Sequence, residues 1–324
     1  MDMIINVLLV FVGVAMVSYG AKWLVEGASS LARRLGISDL VIGLTIVAFG
    51  TSAPELMVTL TATFQGVSDV ALGNVVGSNI FNIGVILGIS GLILPLRLQK
   101  NTVRKEIPLT LLSALVVWAM AGDLAIDGRA PSLIGRIDGL LLLGFFLVFF
   151  YYTMELARQS KENESTPDMK QTPVWLAVGL VIIGLAGLMF GGRLMVDNAV
   201  DLARMAGISE TVIGLTLVAM GTGVPELATS VAAVVRGNPD IAMGNVIGSC
   251  LFNSFFILGI SAVIAPLPVD GLSPSDFIAN VALTALVWVF SMRFDGSERK
   301  ITRWAAGVLL AGYLVYLTWL LTHI

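Results

Sequence analysis

Two stretches of this chain, "VIGLTIVAFGTSAPEL" at 41–56 and "VIGLTLVAMGTGVPEL" at 212–227, are nearly the same sequence. Each is almost entirely apolar and carries one carboxylate, Glu55 in the first stretch and Glu226 in the second. An ionised carboxylate inside an apolar segment costs free energy unless a partner neutralises or solvates it. Because the glutamate recurs with the same glycine, threonine and proline around it, packing alone is a poor explanation, and both glutamates are candidates for a functional site.

The composition around these stretches is typical of an integral membrane protein. Of 324 residues, 56% are hydrophobic and only 13% are charged, and the mean hydropathy is +0.91. A soluble domain carries more charge on its surface. About 20 apolar residues in a helix span a membrane core of ~30 Å. Ten such runs predict ten helices, at 3–26, 40–63, 70–95, 107–122, 134–154, 174–196, 211–235, 241–266, 276–292 and 302–322.

The chain also contains an internal repeat. A shift of 171 residues aligns 37–93 with 208–264 without a gap, and about 31 of the 57 aligned positions are identical. Each copy then holds five predicted helices. Since five is odd, the second copy enters the membrane from the opposite side, which predicts an inverted-topology repeat of the kind common in secondary transporters.

The repeat fixes the predicted domain boundaries. The first five-helix unit is expected at 1–156 and the second at 174–324, and the polar segment "ARQSKENESTPDMKQTP" at 157–173 is expected to be a solvated linker between them. Lysine and arginine are concentrated in alternate connections, about 14 on one side against about 3 on the other. The richer side is expected to face the cytoplasm, which places the linker there and both termini outside the cytoplasm.

The residues around the glutamates predict a cage of oxygen atoms near the membrane midplane. Both stretches have a glycine four residues before a proline, so helices 40–63 and 211–235 are expected to break and leave carbonyls without helical donors. A second duplicated motif, "GNVVGSNIFN" at 73–82 and "GNVIGSCLFN" at 244–253, adds hydroxyls and amides on one helical face. The neutral oxygen donors expected at this depth are Thr51, Ser52, Thr222, Ser78, Asn82, Ser249 and Asn253. Oxygen ligands with two carboxylates are typical of a site for a hard cation such as Ca²⁺.

With these two motifs, the sequence resembles the cation/calcium exchanger superfamily, and most closely the prokaryotic sodium/calcium exchangers. The likeness covers nearly the whole chain. It implies that Glu55 and Glu226 are the central metal ligands and that the motif hydroxyls and amides named above coordinate ions with them. It further implies ligation by the backbone carbonyls of Ala48 and Ala219, just before each helix break.

Two departures bear on the ions that this resemblance implies. Gly223 stands where the first copy has Ser52, so one hydroxyl ligand is missing and a sodium site is expected to be weakened or completed by water. Asparagine stands at both 82 and 253, where some relatives carry aspartate, and this makes potassium coupling less favoured.

The function predicted from the residues and the resemblance together is secondary antiport of Ca²⁺ against Na⁺ across a prokaryotic inner membrane. The glutamates supply a charge of −2, which one Ca²⁺ neutralises, whereas Ca²⁺ and the three Na⁺ that the resemblance implies would together place +5 beside them. The two loads are therefore expected to exclude each other.

Two alternatives remain at this point. A Ca²⁺/H⁺ antiporter of the same fold would use the glutamates as proton carriers. A gated Ca²⁺ channel would also use carboxylates and carbonyls, although an inverted repeat does not favour a pore.

Other classes of function find little support in the sequence. It has no catalytic motif, so no enzyme and no cofactor beyond the transported Ca²⁺ and Na⁺ is predicted. A net charge of −3 gives no sign of a nucleic-acid partner, and no protein partner is predicted.

Overall fold

The structure is a computed structural model that describes residues 2–122, 132–163, 173–206, 221–269, 272–292 and 299–322. It is built almost entirely of helices, joined by two pairs of very short strands. The helices are α1 (Asp2–Leu35), α2 (Asp39–Thr51), α3 (Ala53–Phe64), α4 (Ser68–Ile93), α5 (Ile107–Met120), α6 (Arg136–Asn163), α7 (Val174–Met205), α8 (Val224–Val235), α9 (Pro239–Ile264), α10 (Pro274–Ser291) and α11 (Arg303–Thr322). The strands are β1 (Leu96–Arg97), β2 (Leu133–Ile134), β3 (Leu267–Pro268) and β4 (Lys300–Ile301).

The helices are those of a membrane protein. Within the described ranges, seven helices are long and apolar enough to cross a membrane, or eight if the bent pair α2 and α3 counts as one span. Helix α5 has 14 residues, although a π-helical turn at Thr102–Glu106 leads directly into it. Helix α8 has 12 residues, and most of the predicted run at 211–235 before it lies outside the described residues. The count of ten helices therefore stays a prediction.

Helices α1 and α7 pack closely along glycine residues spaced seven apart. Gly13, Gly20 and Gly27 of α1 lie against Gly191, Gly184 and Ala177 of α7, in that order. A Cβ atom added at Gly20 would lie 2.8 Å from the carbonyl oxygen of Gly184. Small residues let membrane helices approach to backbone contact. Because later residues of α1 meet earlier residues of α7, the two helices run antiparallel.

The first and second halves of the chain interlock through their last helices. Strand β1 pairs antiparallel with β4, and β2 pairs antiparallel with β3. Helix α6 packs on the end of α9, and α11 packs on the end of α4. The arginine that begins each of these two helices caps the neighbouring helix: Arg136 Nε donates to Val263 O at 3.2 Å, and Arg303 Nε donates to Leu92 O at 3.1 Å. Val263 and Leu92 are 171 positions apart, so both contacts follow the sequence repeat.

The bundle centre is formed by α4 and α9, which are buried along most of their length, whereas α1, α6, α7 and α11 expose much more of their surface. Both central helices contain a π-helical turn, at Asn82–Ile86 in α4 and at Phe252–Ile257 in α9. Such turns widen a helix locally and are frequent at functional sites.

The predicted break in the first motif lies at Ser52, where α2 and α3 meet at an angle of 46°. Before α8, Thr222 and Gly223 form a turn, while the segment preceding Gly221 lies outside the described residues. Helix α6 continues to Asn163, so the first part of the segment 157–173 is helical.

Candidate functional site

The two motif glutamates lie at matching places in the bundle. Glu55 is in the first turn of α3 and Glu226 in the first turn of α8, and the side chain of each residue is buried, with about 1% of the residue exposed. Ser52, three residues before Glu55, contacts the Glu226 carboxylate at 2.9 Å, so the two motifs meet in one region. Each carboxylate is near a helix N-terminus, where the aligned backbone dipoles favour negative charge. On each glutamate, Oε2 has no hydrogen-bond partner among the described residues.

The helix breaks have a simple chemical cause. Pro54 and Pro225 have no backbone N–H, so the carbonyls of Gly50 and Gly221 lose the donor that a continuous helix would supply. The Ala48 carbonyl, in contrast, accepts a hydrogen bond from Ser52 N at 3.0 Å. The Thr51 hydroxyl also lies 3.4 Å from this carbonyl, but its one proton goes to the nearer Asn245 Oδ1 at 3.0 Å. Since a carbonyl oxygen has two lone pairs, the Ala48 carbonyl then keeps one for an ion.

Ser52 links the two halves of the site. Its Oγ lies 2.9 Å from Glu226 Oε1 and 2.9 Å from Ser249 Oγ. A hydroxyl has one proton, so Ser52 can donate to the carboxylate while it accepts from Ser249. In the second motif the equivalent residue is Gly223, whose backbone angles of φ −80° and ψ −2° are close to the φ −82° and ψ 8° of Ser52. The glycine therefore removes a hydroxyl without a change in backbone conformation.

Two asparagines hold the glutamate-bearing helices in place. Asn74 Nδ2 donates to the backbone carbonyl of Glu55 at 3.2 Å and to Thr59 Oγ1 at 2.9 Å. Asn245 Nδ2 makes the equivalent bonds, to the carbonyl of Glu226 at 3.3 Å and to Ser230 Oγ at 3.0 Å. These four partners are related by the 171-residue shift.

The amide oxygens of the same asparagines accept hydrogen bonds from the motif threonines of the other sequence copy. Thr51 Oγ1 donates to Asn245 Oδ1 at 3.0 Å, and Thr222 Oγ1 lies 3.5 Å from Asn74 Oδ1. Neither asparagine is among the predicted ligands, although both occupy the second position of the duplicated "GNV" motif. The duplicated motif could have predicted this role, because a buried amide needs hydrogen-bond partners and this one recurs with the glutamate in both copies.

The remaining predicted residues are also buried near the centre. Ser78 and Ser249 lie on α4 and α9, and Asn82 and Asn253 lie at the start of the π-helical turns. The Oδ1 atoms of Asn82 and Asn253 accept no hydrogen bond from the part of the chain that the structure describes. Ala219 lies outside the described residues.

The arrangement offers several buried oxygens for a positively charged ligand. The unpartnered acceptors are two carboxylate oxygens and two amide oxygens, with hydroxyls beside them. Among the described residues no three histidine, cysteine, aspartate or glutamate side chains form a cluster that would hold a metal. The site therefore combines two carboxylates with neutral oxygens, a donor set that suits hard cations and not zinc.

Comparison with known proteins gives the family. The profile of the family described as "Sodium/calcium exchanger protein" matches residues 5–154 and 176–322. The chain belongs to this family of membrane cation exchangers, whose members are transporters and not enzymes.

Individual relatives match over nearly their full lengths. "Inner membrane protein YrbG" of Escherichia coli (strain K12) is 36% identical over 98% of this chain and 97% of its own length. "Sodium/calcium exchanger MaX1" of Methanosarcina acetivorans is 30% identical over 97% of both chains. A solved structure of the sodium-calcium exchanger NCX_Mj superimposes with a TM-score of 0.83 at 31% identity, over 98% of both chains.

Proposed function

We propose that this protein exchanges Ca²⁺ for Na⁺ through a buried cage centred on Glu55 and Glu226. The observation that carries the proposal is the pair of buried carboxylates, each with an oxygen that lacks a hydrogen-bond partner among the described residues. Such an oxygen is costly to bury unless a ligand or a proton satisfies it. A divalent cation between two carboxylates satisfies both.

The other proposed ligands are those that the sequence motifs predict. They are the hydroxyls of Thr51, Ser52, Thr222, Ser78 and Ser249, the amide oxygens of Asn82 and Asn253, and the backbone carbonyls of Ala48 and Ala219. The contact of Ser52 with both Glu226 and Ser249 supports a shared cage, because it connects residues of both sequence copies. Neutral hydroxyl oxygens favour Na⁺ as the coupling ion, since a site for protons alone needs only the carboxylates.

Coupling follows from charge. One Ca²⁺ neutralises the two carboxylates, and a load of three Na⁺ leaves a net charge of only +1, but both loads together would leave +3 in a buried site. The empty cage keeps its negative charge, which opposes passage through a closed state in the membrane interior. Each conformational cycle therefore carries either Ca²⁺ or Na⁺, and the two fluxes are linked.

The proposed architecture is ten membrane helices in two inverted repeats at 1–156 and 174–324, with 157–173 as a cytoplasmic linker. Antiparallel packing of α1 against α7 supports inversion, since these are the first helices of the two units. Exchange of conformations between inverted halves would open a central site to one side and then to the other. We place the protein in a prokaryotic inner membrane, as for the Escherichia coli relative that is named an inner membrane protein. The arginine and lysine distribution favours both termini outside the cytoplasm.

The coupling ion is tested in proteoliposomes that contain the purified protein. Vesicles loaded with Na⁺ and diluted into Na⁺-free buffer are expected to take up ⁴⁵Ca²⁺, and collapse of any pH gradient is expected to change uptake little. Glu155→Gln, an exposed carboxylate on α6, serves as a control that keeps transport. Uptake that follows an imposed pH gradient and ignores Na⁺ would establish the proton antiporter, and uptake that needs neither gradient would indicate a channel.

A further inference from the structure

A short chain of hydrogen bonds crosses from α4 to α9 beside the proposed cage. Asn253 Nδ2 donates to Asn79 Oδ1 at 3.2 Å, and Asn79 Nδ2 donates to Ser254 Oγ at 2.8 Å. All three residues are buried, with at most 3% of any of them exposed. Asn79 and Ser254 are not among the cage ligands proposed above.

We propose that Asn79 and Ser254 are positioning residues, which hold the amide of Asn253 so that its oxygen, and not its nitrogen, is available to the transported cation. The inference rests on the proposed function. An amide has a donor end and an acceptor end, and only the acceptor end can bind a cation. Because Asn253 Nδ2 donates its hydrogen bond to Asn79, the Oδ1 atom of Asn253 points elsewhere, and it has no hydrogen-bond partner in the described part of the chain.

The opposite orientation would disable this ligand. If Ser254 donated to Asn79 Oδ1, Asn79 Nδ2 would donate to Asn253 Oδ1, and the amide hydrogens of Asn253 would then point away from Asn79. A cation is repelled by those hydrogens. A serine hydroxyl can donate or accept, so a bound cation selects the orientation in which Ser254 accepts and the whole chain supports the Asn253 oxygen.

The two sequence copies differ at these positions in a correlated way. The counterpart of Asn79 in the second copy is Cys250, and the counterpart of Ser254 in the first copy is Ile83. The two polar residues, Asn79 from the first copy and Ser254 from the second, are therefore in contact with each other, and Asn79 also contacts Asn253. Asn82, the counterpart of Asn253, contacts the Cys250 thiol, which is a weak acceptor, and Ile83 gives this contact no second polar member. The stronger orienting contact, made by an amide backed by a hydroxyl, is therefore at Asn253, and Asn82 has only a weak thiol acceptor.

A simple interhelical contact would have the same geometry, so the test uses a rescue. Asn79→Leu removes the acceptor that fixes Asn253, and we expect Ca²⁺ affinity to fall about tenfold. A carboxylate at position 253 presents oxygen at both ends and needs no orientation. Because the added charge itself attracts Ca²⁺, Asn253→Asp alone is the reference for the double variant. We expect Asn79→Leu to cost about tenfold in affinity when residue 253 is asparagine and little when it is aspartate, whereas a contact that only joins two helices would cost the same in both.

Two more variants keep the test decisive if Asn79→Leu does not fold. Asn79→Asp retains acceptors for the Asn253 amide and is expected to bind Ca²⁺ at least as tightly as the wild type. Cys250→Ala, at the counterpart position, removes only a weak thiol acceptor beside Asn82 and is expected to lower Ca²⁺ affinity less than Asn79→Leu does. Equilibrium ⁴⁵Ca²⁺ binding to purified protein measures all of these variants.

The outcomes separate this inference from the proposed function. Wild-type affinity in Asn79→Leu, an equally large loss from Asn79→Leu in the Asn253→Asp protein, or a tenfold loss in Asn79→Asp would overturn the positioning role. The cage itself is checked in the same assay by Glu226→Gln. If that variant binds Ca²⁺ normally, the proposed function fails, whatever the Asn79 variants do.

Discussion

The difference between Ser52 and Gly223 gives a prediction with a definite size. Serine at 223 would restore the hydroxyl that the second motif lacks, and the backbone angles at Gly223 already match those at Ser52. Backbone strain is therefore not expected in Gly223→Ser. A small monovalent ion has fewer ligands than Ca²⁺ and a weaker attraction to the carboxylates, so an added neutral oxygen should matter more for Na⁺.

The magnitude follows from one polar contact. A neutral hydrogen bond or ligand contact contributes about 0.5–1.5 kcal/mol net, so Gly223→Ser is expected to raise apparent Na⁺ affinity by up to roughly tenfold. The converse change, Ser52→Gly, removes the contacts with Glu226 and Ser249 at 2.9 Å and should lower Na⁺ affinity by at least as much. The affinity for Ca²⁺ should change less in both variants.

The assay is the Na⁺ dependence of ⁴⁵Ca²⁺ uptake into proteoliposomes, with half-saturating Na⁺ read for each variant and the folded fraction checked by size-exclusion chromatography. A folded Gly223→Ser protein with unchanged half-saturating Na⁺ would refute the missing-ligand reasoning. So would an equal shift for Na⁺ and Ca²⁺, because it would point to a general change in the cage.

Two further predictions concern the scaffold. Gly20→Ala places a Cβ atom 2.8 Å from the Gly184 carbonyl and should destabilise the protein by about 1–3 kcal/mol in detergent thermal melts, whereas Gly179→Ala, with open space around it, should melt like the wild type; equal melting of both variants would contradict close packing of α1 on α7. Asn245→Leu removes the bond to the Glu226 carbonyl and two further contacts, and should weaken ⁴⁵Ca²⁺ binding by about 10- to 100-fold. Unchanged binding would show that the amide does not hold the glutamate in place.

The sequence predicts the helical membrane fold well because that information is local. Apolar runs and the glycine–proline spacing report on single helices, and the bend at Ser52 and the burial of Glu55 follow from them. The 171-residue repeat adds a relation between distant segments, and this relation reappears in the equivalent bonds of Asn74 and Asn245.

The partners of these residues are harder to predict, because contacts between distant segments depend on the assembled bundle. Nothing in a single run indicates that α6 packs on α9 and α11 on α4, or that Arg136 and Arg303 cap the ends of those central helices. In the same way, the repeat does not single out Asn79 and Ser254, because Asn79 is aligned with a cysteine and Ser254 with an isoleucine. Only the folded chain brings them together at Asn253.

The central claim is that Ca²⁺ binds between Glu55 and Glu226 and competes there with Na⁺. Equilibrium ⁴⁵Ca²⁺ binding to the purified protein, titrated with NaCl at constant ionic strength, tests it most directly. The account predicts saturable Ca²⁺ binding that Na⁺ displaces, loss of that binding in both Glu55→Gln and Glu226→Gln, and normal binding in Glu155→Gln. Ca²⁺ binding that survives in either of the first two variants, or that Na⁺ does not displace, would contradict it.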